Sequence, residues 1–162
     1  TPTATATATA TATNTAVPAT LPPPSTSTPV VDSSIAFEQF LITAINDVDL
    51  MKQEFQRDNP MNPSITVDCP TFVAAYDRVV NSVNAVPADP AAIPGAGERY
   101  RQATEMITAT VGEVVSGCRE RIGTDEETTS MNNLGVSNLT NGLNNGGLGE
   151  YNRLLNELRE AG

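Results

Sequence analysis

The chain has 162 residues and a net charge of −10, with nineteen acidic side chains against nine basic ones, no His, no Trp and two Cys. Without His there is no Ser-His-Asp or Cys-His relay, no His-ligated zinc and no His-ligated haem. The charge repels a polyanion such as nucleic acid, and the length suits one domain plus a tail.

Residues 1–33 hold one charged side chain, Asp32, and no aromatic: Thr alternates with Ala, then gives way to Leu21-Pro22-Pro23-Pro24 and Ser25-Thr26-Ser27-Thr28-Pro29. Such a segment buries too little apolar surface to offset chain entropy. It is expected to be a tether or extended arm, leaving 34–162 as the folded domain. Two readings of the alternation stay open. In one it is a solvated linker, stiffened as polyproline II at Pro22–Pro24 and open to O-glycosylation. In the other, the period of two places the threonines, Thr5, Thr7 and Thr9 among them, on one face of a strand that adds to the sheet edge of a neighbouring subunit.

In composition this segment resembles the Thr/Pro-rich stalks of bacterial surface lipoproteins and secreted proteins. The resemblance covers the first fifth of the chain and brings no functional residue with it. It implies an extracytoplasmic location, whether periplasmic, cell-surface or secreted. A chain that opens on Thr1 is read as processed or cut from something longer, with any signal or lipid anchor ahead of it. No stretch approaches the roughly 18 apolar residues that span a bilayer, so membrane association is expected to be indirect or through that anchor.

Beyond the tail, Phe37, Leu41, Ala44, Val48, Met51 and Phe55 recur at spacings of four and three, which predicts a helix capped by Ser33 or Ser34 and ending near Arg57. Phe40 and Ile45 widen its stripe. Asp68-Cys69-Pro70 opens a second helix, because proline in a first turn loses no hydrogen bond. Its stripe is Phe72, Tyr76, Val79, Val83 and Val86, and Pro87 stops it. A third helix, roughly 97–122, carries Tyr100, Ala103, Ile107, Val111, Val114, Cys118 and Ile122, with Gly123 as its left-handed terminal residue. Thr124 with Glu127 reads as a capping box that opens a short helix. Gly135, Gly142, Gly146, Gly147 and Gly149 follow, mixed with Asn, and each Gly in a helix interior costs roughly 1 kcal/mol against Ala. An irregular segment is expected there, then a terminal helix from about Glu150 to Glu160 packed through Tyr151, Leu154, Leu155 and Leu158. The fold class is all-α, a small up-and-down bundle of three to four main helices behind an extended low-complexity tail.

Cys69 opens the second helix and Cys118 lies near the end of the third. In an antiparallel pair those ends adjoin, within the roughly 4.4–6.8 Å Cα separation that a disulfide needs. A Cys69–Cys118 bond is expected, and it consumes the only thiols that could serve as nucleophiles or iron–sulfur ligands.

Other chemistries find little support. Gly146-Gly147-Leu148-Gly149 lacks the Lys and the preceding strand of a phosphate loop. Asp58 to Asp68 spaces oxygen ligands as a calcium loop does, but Pro63 and Cys69 stand where Gly and a bidentate Glu belong. Asp125, Glu126 and Glu127 suit a helix dipole. Asp47, Asp49 and Glu54 fall mainly off the apolar stripe, which reads as a solvated face rather than a paired-carboxylate site. Asn138-Leu139-Thr140 matches an N-glycosylation pattern and is read as coincidence. No catalytic residue, cofactor or metal is therefore expected.

The expected function is a non-catalytic structural or accessory subunit of an envelope assembly, a membrane protein complex or filament, with the bundle docked and the tail along a neighbour. The alternative is a surface-tethered binding module that presents residues 132–149 to a ligand. Candidate partner contacts are Asn132, Leu134, Leu139, Leu143 and Leu148, together with Thr5, Thr7 and Thr9 of the tail.

Overall fold

The computed structural model describes residues 33–55 and 64–162. The tail readings, with Thr5, Thr7 and Thr9, and most of the calcium-like loop lie outside the described residues.

Helix α1 spans Ser33–Glu54. Its six stripe residues, Phe37 through Phe55, are all buried, as their spacing requires. Helix α2, Cys69–Ser82, begins where Pro70 allows, and the Asp68 carboxylate caps it by accepting the Thr71 N–H at 3.1 Å. It stops before Pro87, in a 3-10 turn at Val83–Ala85 that leaves Val83 and Val86 half-buried. Helix α3 spans Ala96–Arg119. At its start the Asp89 carboxylate accepts the N–H groups of Gly95 and Gly97, at 2.8 and 2.7 Å. Beyond its end Gly123 takes the expected left-handed conformation, with φ 84°. The α3 stripe drifts late: Val115 is buried rather than Val114, and Ile122 is exposed.

The region after Thr124 corrects two expectations. No helix follows the Thr124–Glu127 pair; Thr128–Asn132 is strand β2, antiparallel to strand β1, Ser64–Asp68, with Ile65 opposite Met131 and Val67 opposite Thr129. The capping chemistry is present but closes a turn. The Glu127 carboxylate accepts the Gly123 N–H at 2.7 Å, and the Thr124 hydroxyl accepts the Glu126 N–H at 3.2 Å. The Glu127 carbonyl then accepts the Cys69 N–H at 3.0 Å, one step beyond the ladder. β-Branched Ile65, Thr66, Val67, Thr128 and Thr129 favour the extended pairing, and Val67 is fully buried.

The second correction concerns the Gly/Asn segment, which is helical: α4 spans Asn133–Asn145 and α5 spans Gly147–Ala161. The Asn132 side chain caps α4 by accepting the Gly135 N–H at 2.7 Å. Packing overrides propensity here. A Cβ at Gly147 would lie 2.2 Å from the Ala103 carbonyl oxygen and 2.5 Å from the Ile107 side chain, so glycine is what lets α5 press against α3.

Four rods result. Helices α1, α2 and α3 are three, and α4 with α5, joined at Gly146, form the fourth along α3, so that α5 closes the ring onto α1. Neighbouring rods are antiparallel, as cross-links between opposite ends record: Glu54 with the Asp68 N–H, Cys69 with Cys118, Arg99 with Glu157, and Arg159 with Glu38. The core runs through all four, and Tyr100 and Tyr151 stack at its centre with ring centroids 4.6 Å apart. The fold is an all-α bundle carrying one two-stranded ribbon.

Candidate interaction surfaces

The expected disulfide is formed. Cys69 and Cys118 are bonded, with Cα atoms 4.9 Å apart and both residues fully buried. β1 runs straight into Cys69, so the bond ties the ribbon, the start of α2 and the end of α3 together at one end of the bundle. Arg119, beside it, pairs with Asp77 and lies over the Tyr76 ring at 5.7 Å.

The carboxylates assigned to a solvated face divide. Asp47 is only 8% exposed and Glu54 only 4%, which corrects that expectation. Asp47 accepts from the Arg78 guanidinium at 2.7 Å, and Glu54 accepts the Asp68 N–H at 3.1 Å. A charge leaves water only where such partners replace it. Asp49 remains half-exposed and pairs with Lys52 at 3.5 Å. Asp68, a ligand in the calcium-like spacing, is already committed to capping α2. Among the described residues no group of three or more His, Cys, Asp or Glu side chains is placed to hold a metal ion.

At the α3–α5 contact, Arg99 donates to Glu150 at 2.7 Å and in bidentate fashion to Glu157 at 2.7 and 2.9 Å. Those bonds hold the Glu157 carboxyl below its ordinary value. They also push the Arg99 guanidinium further up, with the Glu157 bonds the main cause and burial opposing them. Tyr151 accompanies them in the interior, its hydroxyl 2.6 Å from that of Thr104. Burial, followed by the neighbouring Tyr100, holds its phenol protonated far above the usual range. These groups are bonded to one another across the helix contact, as structural pairs are.

The candidate contacts at 132–149 do not form one face. Leu143 and Leu148 are buried in the core and are not partner contacts; the helix that sequence propensity argued against turns them inward. Asn132 is exposed but spends its side-chain oxygen on the α4 cap. Leu134, 71% exposed, and half-buried Leu139 remain on the outside. Leu139 lines a groove of about 440 Å³ between α3 and α4 with Ala109, Thr110, Val114 and Met131. A second groove, of about 410 Å³, runs between α2 and α3 along Val80, Val83, Thr108 and Ala109, with Arg101 and Glu105 also lining it.

Sequence reasoning missed the outer face of α1, where Ile35 is 52% and Leu50 37% exposed. Its signal in the sequence is the uncharged series Ile35, Gln39, Thr43, Asn46 and Leu50 at spacings of four and three, behind the stronger Phe37–Phe55 stripe. No helix among the described residues is long and apolar enough to cross a membrane. No protein-family model, curated protein sequence or solved structure matches the chain.

Proposed function

We propose that this chain is a non-catalytic, extracytoplasmic structural or accessory subunit of a larger envelope assembly, in which 34–162 is the docked module and 1–33 the tether or arm. The observation that carries the reading is the Cys69–Cys118 bond, a cross-link suited to an oxidising compartment and buried where α2, α3 and the ribbon meet. Two further features support it. The best-buried carboxylates, Asp47 and Glu54, are bonded to groups that hold rods together, and the Thr/Ala/Pro composition of the tail suits a spacer or an arm along a neighbour. The resemblance to stalked surface lipoproteins and secreted proteins belongs to the same proposal.

Purification of the native protein from its source envelope, with identification of what accompanies it, tests the reading. Stoichiometric co-purification of envelope subunits is expected, with no free thiol detected. Two free thiols in native material, or a chain that is always recovered alone, would overturn it.

A second reading, a tethered binding module, is favoured by one observation: Leu134 stands out beside the α3–α4 groove. Leu134→Asp separates the two, because it leaves the buried leucines untouched. On the binding-module reading the variant folds normally and loses ligand capture.

A further inference from the structure

The outer surfaces of the rods differ in charge. Along α3 the exposed positions Glu98, Glu105 and Glu113, with Glu120 at the C-cap, form an acidic ridge in which, among the described residues, only Glu98 has a basic partner, Arg101 at 3.8 Å. On α1 the outward positions are Ile35, Gln39, Thr43, Asn46, Leu50 and Gln53, every one exposed and none charged. Among the described residues, the acids that border this stripe are paired within the chain: Glu38 with Arg159 at 2.8 Å, Asp47 with Arg78 at 2.7 Å, and Asp49 with Lys52 at 3.5 Å. In a chain of net charge −10, a neutral four-turn helix face bearing two large exposed aliphatic residues invites close approach by a second copy.

The stripe is also self-complementary. Ile35 and Leu50 are fifteen positions apart, about 22 Å along the helix, with Gln39 and Asn46 between them. Two α1 helices laid antiparallel about a two-fold axis beside Ile42 and Thr43 set Ile35 of each copy against Leu50 of the other. The same register sets Gln39 of each against Asn46 of the other, where side-chain amides can exchange hydrogen bonds. A parallel arrangement would instead place like residue on like, Ile35 against Ile35 and Leu50 against Leu50.

We infer that two copies of this chain associate through the outer face of α1, antiparallel and isologous, with Ile35–Leu50 contacts at both ends and a Gln39–Asn46 amide pair on each side of the axis. One helix pair of this length buries less than a standard stable interface, so the association is weak and grows with concentration. Added salt strengthens it, because screening removes the repulsion between two anionic bundles while the contact itself carries no charge. The inference does not rest on the envelope reading, and the purified chain alone tests it.

The experiment is sedimentation velocity of the full chain over a concentration series at low and high salt, beside Ile35→Asp, Leu50→Asp and Thr43→Cys variants. A reversible dimer is expected, tighter at high salt and weakened by at least about tenfold in each Asp variant, since a carboxylate would then be placed against apolar surface. Circular dichroism of those exposed-site variants should match the parent. Thr43→Cys should cross-link with itself under mild oxidation, whereas Ile35→Cys should cross-link with Leu50→Cys and not with itself. A monomer at all concentrations, or a dimer indifferent to both Asp changes, would overturn the inference. Self-linking of Ile35→Cys without that of Thr43→Cys would overturn the antiparallel register.

Discussion

The α2–α3 hairpin and the α4–α5 rod belong to one core but are held by different means. The hairpin pairs two strongly patterned helices and fastens them covalently at Cys69–Cys118. The rod is rich in glycine and asparagine, carries no covalent tie, and is held by what it presses against: Gly147 on Ala103 and Ile107, Leu143 in the core, and Arg99 across to Glu150 and Glu157. Low intrinsic propensity in a sequence therefore need not mark a loop or a ligand site, because a glycine at a close helix contact contributes through the approach it permits.

The largest expected effect lies in the hairpin. Replacing Cys69 and Cys118 with Ala frees a loop of 49 residues' separation, and the chain-entropy model gives a loss of about 4 kcal/mol. Urea unfolding should show that loss in the double variant, and reductant should lower the parent to the same midpoint. A midpoint unchanged by reduction would break the comparison, because the hairpin would then be held by packing alone.

Next comes a contrast within the rod. Leu143→Ala should cost about 3 kcal/mol, as expected for a fully buried leucine. Leu134→Ala, nine residues earlier and mostly exposed, should change the unfolding free energy measured in urea by less than about 0.5 kcal/mol. If the two variants unfolded alike, α4 would not be packed by its inner face.

Gly147→Ala is expected to cost about 2 kcal/mol, because the added methyl meets a backbone carbonyl oxygen that has nowhere to go. On propensity alone the same change would stabilise a helix by up to about 1 kcal/mol. Thermal unfolding of this one variant thus decides the sign, and a raised midpoint would show that the rod is not pressed against α3. Asn132→Ala should cost about 1 kcal/mol through loss of the α4 cap, with Asn132→Ser retaining most of it.

What the sequence discloses follows the same division. The stripe of α1, the Asp68 and Pro70 start of α2 and the Gly123 terminus are legible because each is set by residues near one another in the chain or by a strong period, and the disulfide because the chain has two Cys at adjoining ends of two legible helices. β1 was obscured by the oxygen-ligand spacing around it, although Ile65-Thr66-Val67 is a β-branched run. β2 and α4 were obscured because their partners, Val67 and Thr110 among them, come from distant elements. The burial of Asp47 and Glu54 depends on Arg78 and Asp68, which no helical period in α1 could disclose. Of the proposed contacts Leu134 stayed outside and Leu143 went inside, since register along α4 is fixed only when α3 and α5 are in place.

The smallest effect distinguishes the two regions by pH. The Glu157 carboxyl lies below its ordinary value of 4.5 because Arg99 holds its ionised form. A carboxyl depressed on folding stabilises the native state above its unfolded value, and that contribution is lost as the pH falls through the folded value. The rod should therefore loosen from α3 in acid below about pH 4.5 while the disulfide-bonded hairpin, whose cross-link does not titrate, keeps its helices. The side chain is partly exposed, so the change is small and salt weakens it. Amide hydrogen exchange at pH 3 to 7 on the parent and Glu157→Gln would check the assignment. The parent should lose protection in α5 before α2, and the variant, lacking the titrating group, should show a flatter profile there. Equal acid sensitivity in both proteins would place the effect on other carboxylates.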